Sequence, residues 1–471
     1  MSTFVHPYLP NSVPEVRREM LDELGVSSVR EILENVIPED LLFRGRLDLP
    51  EPVRSEYELR RHVMSILNKN VTTEDCISFL GAGCYKHQVP AVCDELNQRG
   101  EFLTGYCGDT YSDHGKMQAI FEYTSMLGEL LDADCVSYTT YDAGQSVCSS
   151  FRMAVRVQEA RGAKRSVILV PDTMDPEILS QAESYTRSAA VLKPVPRRAD
   201  GRMDRKALSA LLSAGDVAAV YYENPSYLGF LDDDPESIAA LAHAQGALVI
   251  ARTDIAALGV MESPLNLGAD LVCGDIQPLG MHIQFGGGQA GYIACAEDLS
   301  LLKQFPTYMY SLCETDREGV YGWGRAMNYR SSHGSRENAN EYFGTETGLW
   351  CITAGIYLAS MGPQGMYDLG ETVLRTTAYA AELLKEVPGV RADPFGGAKF
   401  QEFVVDFTGT GLTVREINKA LLKYGIFGGK DLSEDFPELK ESALYCFSEL
   451  TKKEDIQLLV KALKEITGGK R

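Results

Sequence analysis

The chain has 471 residues, 45 % of them hydrophobic and 24 % charged, and carries a net charge of −21 at neutral pH. That length supports two or three sizeable cores. The acidity repels phosphate backbones and excludes nucleic acid as a partner, and no run reaches the roughly 20 apolar residues of a membrane span.

Met1–Pro10 has neither a basic flank nor an apolar core, so no secretory signal is read and the expected location is the cytoplasm. Eleven cysteines run from Cys76 to Cys446 with no pair at C-x-x-C spacing, and seven histidines form no H-x-x-x-H or H-x-x-E-H pattern. Free thiols and no structural metal are expected. Residues 1–64 read as an N-terminal helical extension, with amphipathic pieces at Glu15–Leu24 and Val29–Val36 broken by Gly25 and Pro38. It looks too short to fold alone and is expected to wrap around a larger body or a partner. Residues 65–364 read as a large α/β domain. Met117, Ile120, Phe121, Thr124 and Leu127 share one helical face. The turn Tyr141-Asp142-Ala143-Gly144-Gln145-Ser146 leads into a helix at about Val147. Strands are expected at Ser166–Pro171, Ala189–Val195, Val217–Tyr222, Ala247–Ala251, Asp270–Gly274 and Ala290–Cys295. These near-continuous apolar runs of about five or six residues suit a mainly parallel sheet buried on both faces. Between them, Asp234 can cap a helix that starts at Pro235, turns Ile238, Leu241 and Ala242 inward, and stops at Gly246. Residues 365–471 read as a small α+β domain, with helix Tyr367–Glu386, strands near Glu402–Phe407 and Ser442–Phe447, and a final helix Lys453–Ile466.

A large α/β domain followed by a small α+β domain resembles the fold-type I pyridoxal-phosphate-dependent transferases, a likeness of layout that does not give function. Such a site needs a Schiff-base lysine, an acid against the pyridinium nitrogen, a phosphate cradle and a group that fixes the ring plane. Asp254 stands just beyond the strand Ala247–Ala251, where ligands bind in parallel sheets. It is either the acidic partner of a cofactor or a cap for the following turn. Tyr141 and Asp142 open the turn that could cradle a phosphate, although Gly/Ser turns before helices are common. The lysine belongs between the strand Asp270–Cys273 and the turn Gly286-Gly287-Gly288, yet no lysine occurs between Lys206 and Lys303. The usual internal aldimine cannot form at the expected place.

The stretch Ser78-Phe79-Leu80-Gly81-Ala82-Gly83-Cys84-Tyr85-Lys86-His87-Gln88-Val89-Pro90 resembles the glycine-rich signature near the start of the P-protein of the glycine cleavage system. Further matches in order are Pro10-Asn11, Gly25-Val26-Ser27-Ser28, Gln118 to Tyr123, Tyr141-Asp142, Asn224-Pro225 with Gly229, Gln277-Pro278-Leu279-Gly280, Phe285-Gly286-Gly287 and Met361-Gly362-Pro363. The likeness covers nearly the whole chain and is specific to subunit 1 of the two-subunit form.

That resemblance implies a chain with no catalytic residue of its own and inactive alone, with a second, lysine-bearing subunit holding pyridoxal phosphate covalently, in an α2β2 assembly. The assembled enzyme would decarboxylate glycine and pass the aminomethyl group to the lipoyl arm of H-protein. Tyr85 and His87 would face the partner's active site, or else pack in the core and cap a turn. Gly286 and Gly287 would approach the partner's phosphate or form a tight turn, and Asp254, Tyr141 and Asp142 would be vestigial or act across the interface. Two runs depart from the family pattern: residues 106–114, closed by His114 as a third supporting candidate, and residues 340–346. They keep two alternatives open, a paralogous subunit for another small amino acid and a non-catalytic scaffold or regulatory subunit.

Overall fold

Seven strands form one mixed sheet in the order Cys135–Thr140, Gly291–Cys295, Leu271–Asp275, Leu248–Arg252, Val217–Glu223, Val167–Pro171, Val191–Val195. Neighbouring pairs from Leu271–Asp275 to Val191–Val195 run parallel, and Gly291–Cys295 is antiparallel to both of its neighbours. This computed structural model describes residues 5, 7–43, 45, 47–102, 114–284, 290–330, 332–341 and 347–468. All six strands expected for this part of the chain are present, each within two residues of its anticipated bounds. Cys135–Thr140 was not anticipated. Ser137, Thr139 and Thr140 break its apolar run, and they find partners internally: the Ser137 hydroxyl meets Thr307 at 2.5 Å and Thr140 Oγ1 donates to the Asp142 carbonyl at 2.9 Å.

Alternation along the strands divides the interior in two. Ile168, Val170, Leu248 and Ile250 point to one face, against Val147, Phe151 and Ala154 of the helix Ala143–Ala160. Val167, Leu169, Val249 and Ala251 point to the other, against Ile120, Tyr123 and Leu127 of the helix His114–Leu131 and Ile352 and Tyr357 of the helix Gly348–Leu384. Burial on both faces is why these strands carry no polar alternation. The helix Gly348–Leu384 starts well before the expected Tyr367 and is interrupted at Gly362, whose φ of 61° and ψ of −178° are non-helical, with Pro363 next. Glycine tolerates that backbone, and proline cannot supply the N–H the turn would need.

A second sheet, wholly antiparallel, has the order Arg391–Ala392, Glu402–Asp406, Ser442–Cys446, Lys430–Asp431. Its apolar side packs on the helices Val414–Leu421 and Lys453–Gly468 and on Ala380, Ala381 and Leu384 of the long helix. Phe403 stacks on Phe447 with centroids 5.1 Å apart and planes within 9°. Phe79 is buried in this cluster, because Ile77–Ser78 pairs in parallel with Ile426–Phe427 and the Cys446 N–H donates to the Phe79 carbonyl. Those contacts deliver the glycine-rich stretch after Phe79 to the rim of the large sheet. Thr413 and Glu416 form a reciprocal capping box at the start of Val414–Leu421. Thr413→Ala should cost about 1 kcal/mol, read as a lower urea midpoint at unchanged slope.

Residues Met1–Val71 form a separate compact unit. It contains the helices Pro14–Glu23, Val29–Glu34 and Glu56–Leu67, the last of which was not anticipated. Ser28 and Ser55 cap the second and third by accepting from Glu31 N and Glu58 N. None of the three helices buries a side chain. Among the described residues no helix is long and apolar enough to cross a membrane.

Candidate active site

The carboxyl ends of Leu248–Arg252 and Leu271–Asp275 open on a cleft closed by the turn Pro225–Tyr227, the segment Ala82–Tyr85 and the entry to Glu402–Asp406. This is where a parallel sheet leaves room for a ligand. The cleft has an inner chamber of about 30 Å³ and an outer one of about 320 Å³, with Gly83, Arg252 and Asp275 lining both.

Asp254 lines the inner chamber, and its Oδ1 also accepts the Ala256 N–H at 2.8 Å. The cap to the following turn is therefore present, and the same carboxylate stands in the cleft wall. Tyr85 donates its hydroxyl proton to Glu402 Oε2 at 2.8 Å, and Glu402 Oε1 accepts the Ala82 N–H at 2.7 Å. His87 is buried, with Nδ1 3.0 Å from Glu449 Oε2, while the Gln88 N–H donates to the other oxygen of Glu449 at 2.7 Å. The Tyr85 and His87 rings meet edge to face at 6.0 Å. Both side chains thus bond to carboxylates of this chain. Asp142 caps the helix Ala143–Ala160 through Gln145 N at 2.7 Å and lines the outer chamber, whereas Tyr141 is partly exposed. Gly286, Gly287 and the side chain of His114 lie outside the described residues, as does most of the 106–114 and 340–346 runs. Of the latter, Glu341 is buried and takes the guanidinium of Arg156 at 3.2 Å and the hydroxyl of Tyr185.

Charge dominates the cleft. Burial pushes the Glu402 carboxyl up to about 7 despite the hydrogen bonds from Ala82 and Tyr85, and nearby Asp254 and Asp175 add to the rise. Burial likewise raises Asp275 to about 6 against the pull of Arg252. Asp254 and Glu223 are raised for the same reason, and Tyr85 lies well above the usual phenol range through burial and the adjoining Glu402. Burial opposes the charge on His87, but the hydrogen bond and charge of Glu449 outweigh it and the imidazole is raised. Arg252 faces Glu223 at 3.6 Å and Asp175 at 3.9 Å. Arg252, Asp275 and Glu402 were not singled out from the sequence. The available signal was a charged side chain at each end of a buried apolar strand, costly to bury without a purpose.

A fold-type I cofactor carries a phosphate dianion, and these residues do not fit it. The outer chamber sets Asp142, Asp175, Glu177 and Asp275 against the guanidinium of Arg252. At the helix start the Gln181 amide fills the space over Gly144, within 1.9 Å of where a Cβ would stand. The Asp142 carboxylate already takes a backbone N–H that an anion would need. Among the described residues no lysine lines either chamber, so the cleft walls can bind and orient a polar solute but offer no amine for covalent chemistry.

The glycine cleavage system P-protein family model matches residues 6–463. The chain belongs to that P-protein family. Among curated P-protein relatives, the probable glycine dehydrogenase (decarboxylating) subunit 1 of Pyrococcus horikoshii is 36 % identical over 461 residues, covering 98 % of this chain and 99 % of the relative. Its counterpart from Brevibacillus brevis is 35 % identical over 464 residues, with the same shares covered. A crystal structure of the glycine decarboxylase P-protein in inhibitor-bound form aligns with a TM-score of 0.82 at 29 % identity, covering 98 % of this chain and all of that one. A sphingosine-1-phosphate lyase from Burkholderia pseudomallei aligns at a TM-score of 0.64 and 14 % identity over 92 % of this chain and 95 % of its own. That last likeness bears on the fold alone. The P-protein chain has the fold of the fold-type I pyridoxal-phosphate-dependent transferases, with its α+β portion toward the C-terminus.

Proposed function

We propose that this chain is the lysine-less first subunit of a two-chain, pyridoxal-phosphate-dependent glycine decarboxylase and is inactive alone. The observation that carries the reading is a family match over residues 6–463 combined with a lysine-free span from Lys206 to Lys303. The cofactor site then belongs to a lysine-bearing partner subunit, which holds pyridoxal phosphate covalently. In the assembled reaction the carboxyl carbon of glycine leaves as carbon dioxide. The aminomethyl carbon bonds to one sulfur of the oxidised lipoyl disulfide on H-protein, and the other sulfur becomes a thiol.

On this reading the segment around Tyr85 and His87 is held in shape by Glu402 and Glu449 of the same chain. His114, Gly286 and Gly287 are assigned to the face that completes the partner's site. The division into an extension at 1–64, a large domain at 65–364 and a small domain at 365–471 accompanies the proposal.

The test is glycine-dependent exchange of labelled carbon dioxide, with pyridoxal phosphate and lipoylated H-protein present. Exchange is expected when the chain is mixed with the lysine-bearing subunit and not from the chain alone. A stable, cofactor-loaded mixture that exchanges no label would overturn glycine as substrate and favour a paralogue for another small amino acid.

A further inference from the structure

We propose that the inner chamber of the cleft is a binding site for one dehydrated monovalent cation of the size of potassium. The site is built by this chain alone, whatever reaction its assembly carries out.

Two buried side chains line the inner chamber with oxygens that lack a protein partner. Ser226 is 7 % exposed and its Oγ makes no hydrogen bond, and Gln401 is 2 % exposed with an unsatisfied Oε1. Both oxygens have lone pairs to offer. Buried polar groups in native proteins are nearly always paired, so two orphans on one wall mark the place of a ligand. Gln401 also holds a φ of 62°, in the left-handed region that a glutamine rarely adopts. Strain of that kind persists where the surroundings fix a side chain in position.

The charges beside these oxygens give the sign of the ligand. Asp254, Asp275 and Glu402 line the same chamber. Among the described residues they are held by Ala256 N, by Gln277 N, and by Ala82 N with the Tyr85 hydroxyl, and none of the three closes an ion pair with a cationic side chain. The two nearby cations are committed elsewhere: Arg252 faces Glu223 and Asp175, and His87 faces Glu449. Burial accordingly raises all three carboxyls. The wall is short of positive charge, and what makes the cleft unfit for a phosphate fits it to a cation.

Size and ligand type narrow the choice. A chamber of about 30 Å³ admits a body of the size of one water, which is the size of bare potassium. Oxygen ligands suit hard cations. Magnesium retains several of its own waters, which this chamber cannot admit, and no set of three metal-ligating side chains is assembled among the described residues. Potassium needs no such set: Ser226 Oγ and Gln401 Oε1 coordinate it, and the acids supply the field. No bond is made or broken; the ion exchanges its water for protein oxygens.

The experiment is thermal melting of the purified full-length chain in potassium, lithium or choline chloride at equal ionic strength, which holds screening of the acidic surface constant. Equilibrium dialysis with rubidium, an ion close to potassium in size, counts the sites. Potassium should raise the melting temperature above that in choline in a saturable manner, and should bind on the order of tenfold more tightly than lithium, which is too small to reach both oxygens. Dialysis should find one rubidium per chain, displaced by potassium. Ser226→Ala removes one oxygen, and Gln401→Asn draws the other back by one methylene with a residue that tolerates positive φ. Each variant should melt like the parent in choline and bind potassium severalfold more weakly. The proposal is overturned if potassium and choline give the same melting curve, as a chamber holding only water would. Lithium binding as tightly as potassium would overturn it too, as would variants that both keep the parent's potassium response.

Discussion

Replacing Gly229 with alanine is expected to leave little folded chain at 37 °C. Gly229 has a φ of +88°, and a Cβ built there would stand 2.0 Å from the Glu402 carbonyl oxygen and 2.9 Å from the Phe403 nitrogen. Both are backbone atoms in a sheet, so neither can swing aside as the tip of a side chain could. The same turn is bound to its neighbour by Phe400 N–H to the Gly229 carbonyl at 3.2 Å and Leu231 N–H to the Ala398 carbonyl at 2.9 Å. Alanine at positive φ alone costs about 1 kcal/mol. Forcing two packed backbones apart adds more, and a total of at least about 3 kcal/mol is a large part of the 5–15 kcal/mol that typically holds a folded domain together. Soluble yield and thermal melting are the readouts. A G229A chain melting within about a degree of the parent would mean that this approach of turn and strand is not needed.

Glu402→Gln is expected to do the opposite, stabilising the chain at alkaline pH. Glu402 is held near 7 in the fold by burial, and an unfolded glutamate titrates near 4.3. Between those values the folded chain binds more protons than the unfolded one, so stability falls as pH rises from about 4 to about 7. Asp275, at about 6, adds to the fall. His87 acts in the same sense: its raised folded pKa gives stability that is full below the unfolded value and lost as pH rises through the folded one. The groups facing Glu402 are Tyr85, Asp254, Asp175 and Cys446, with Arg252 beyond. An amide keeps both hydrogen bonds, its oxygen accepting from Ala82 N and its nitrogen donating to the Tyr85 oxygen. The variant should match the parent near pH 5 and exceed it near pH 8 by on the order of 2–3 kcal/mol. Urea melts across that range are the check. Parallel pH profiles for variant and parent would show that Glu402 is not the group that titrates.

The strands were legible because they are buried on both faces, which turns sequence into uninterrupted apolar runs such as Val217–Tyr222. The same criterion passed over Cys135–Thr140, where Ser and Thr side chains find partners inside the protein. It also passed over the hairpin Met309–Glu314 with Tyr321–Ala326, which carries two glycines and is partly open to solvent. Asp254 could be picked out because a carboxylate stood at the end of an apolar strand. Its neighbours could not, since Glu402 is 148 residues from Asp254 in sequence and reaches the cleft through the turn at Gly229. Local periodicity holds no record of which distant strand end will face a given loop. The resemblance in the stretch after Phe79 singled out Tyr85 and His87, but their internal carboxylate partners emerge from tertiary packing.

The long helix carries a mechanical consequence. Beyond its break at Gly362 it runs without interruption to Leu384, and its side chains serve two interiors in succession: Met366, Leu369 and Val373 on the large sheet, then Ala380, Ala381 and Leu384 on the small one. Such a rod acts as a splint. Parting the two sheets would bend a continuous helix and strip apolar contacts from both of its ends, so the cleft between them is stiff against opening.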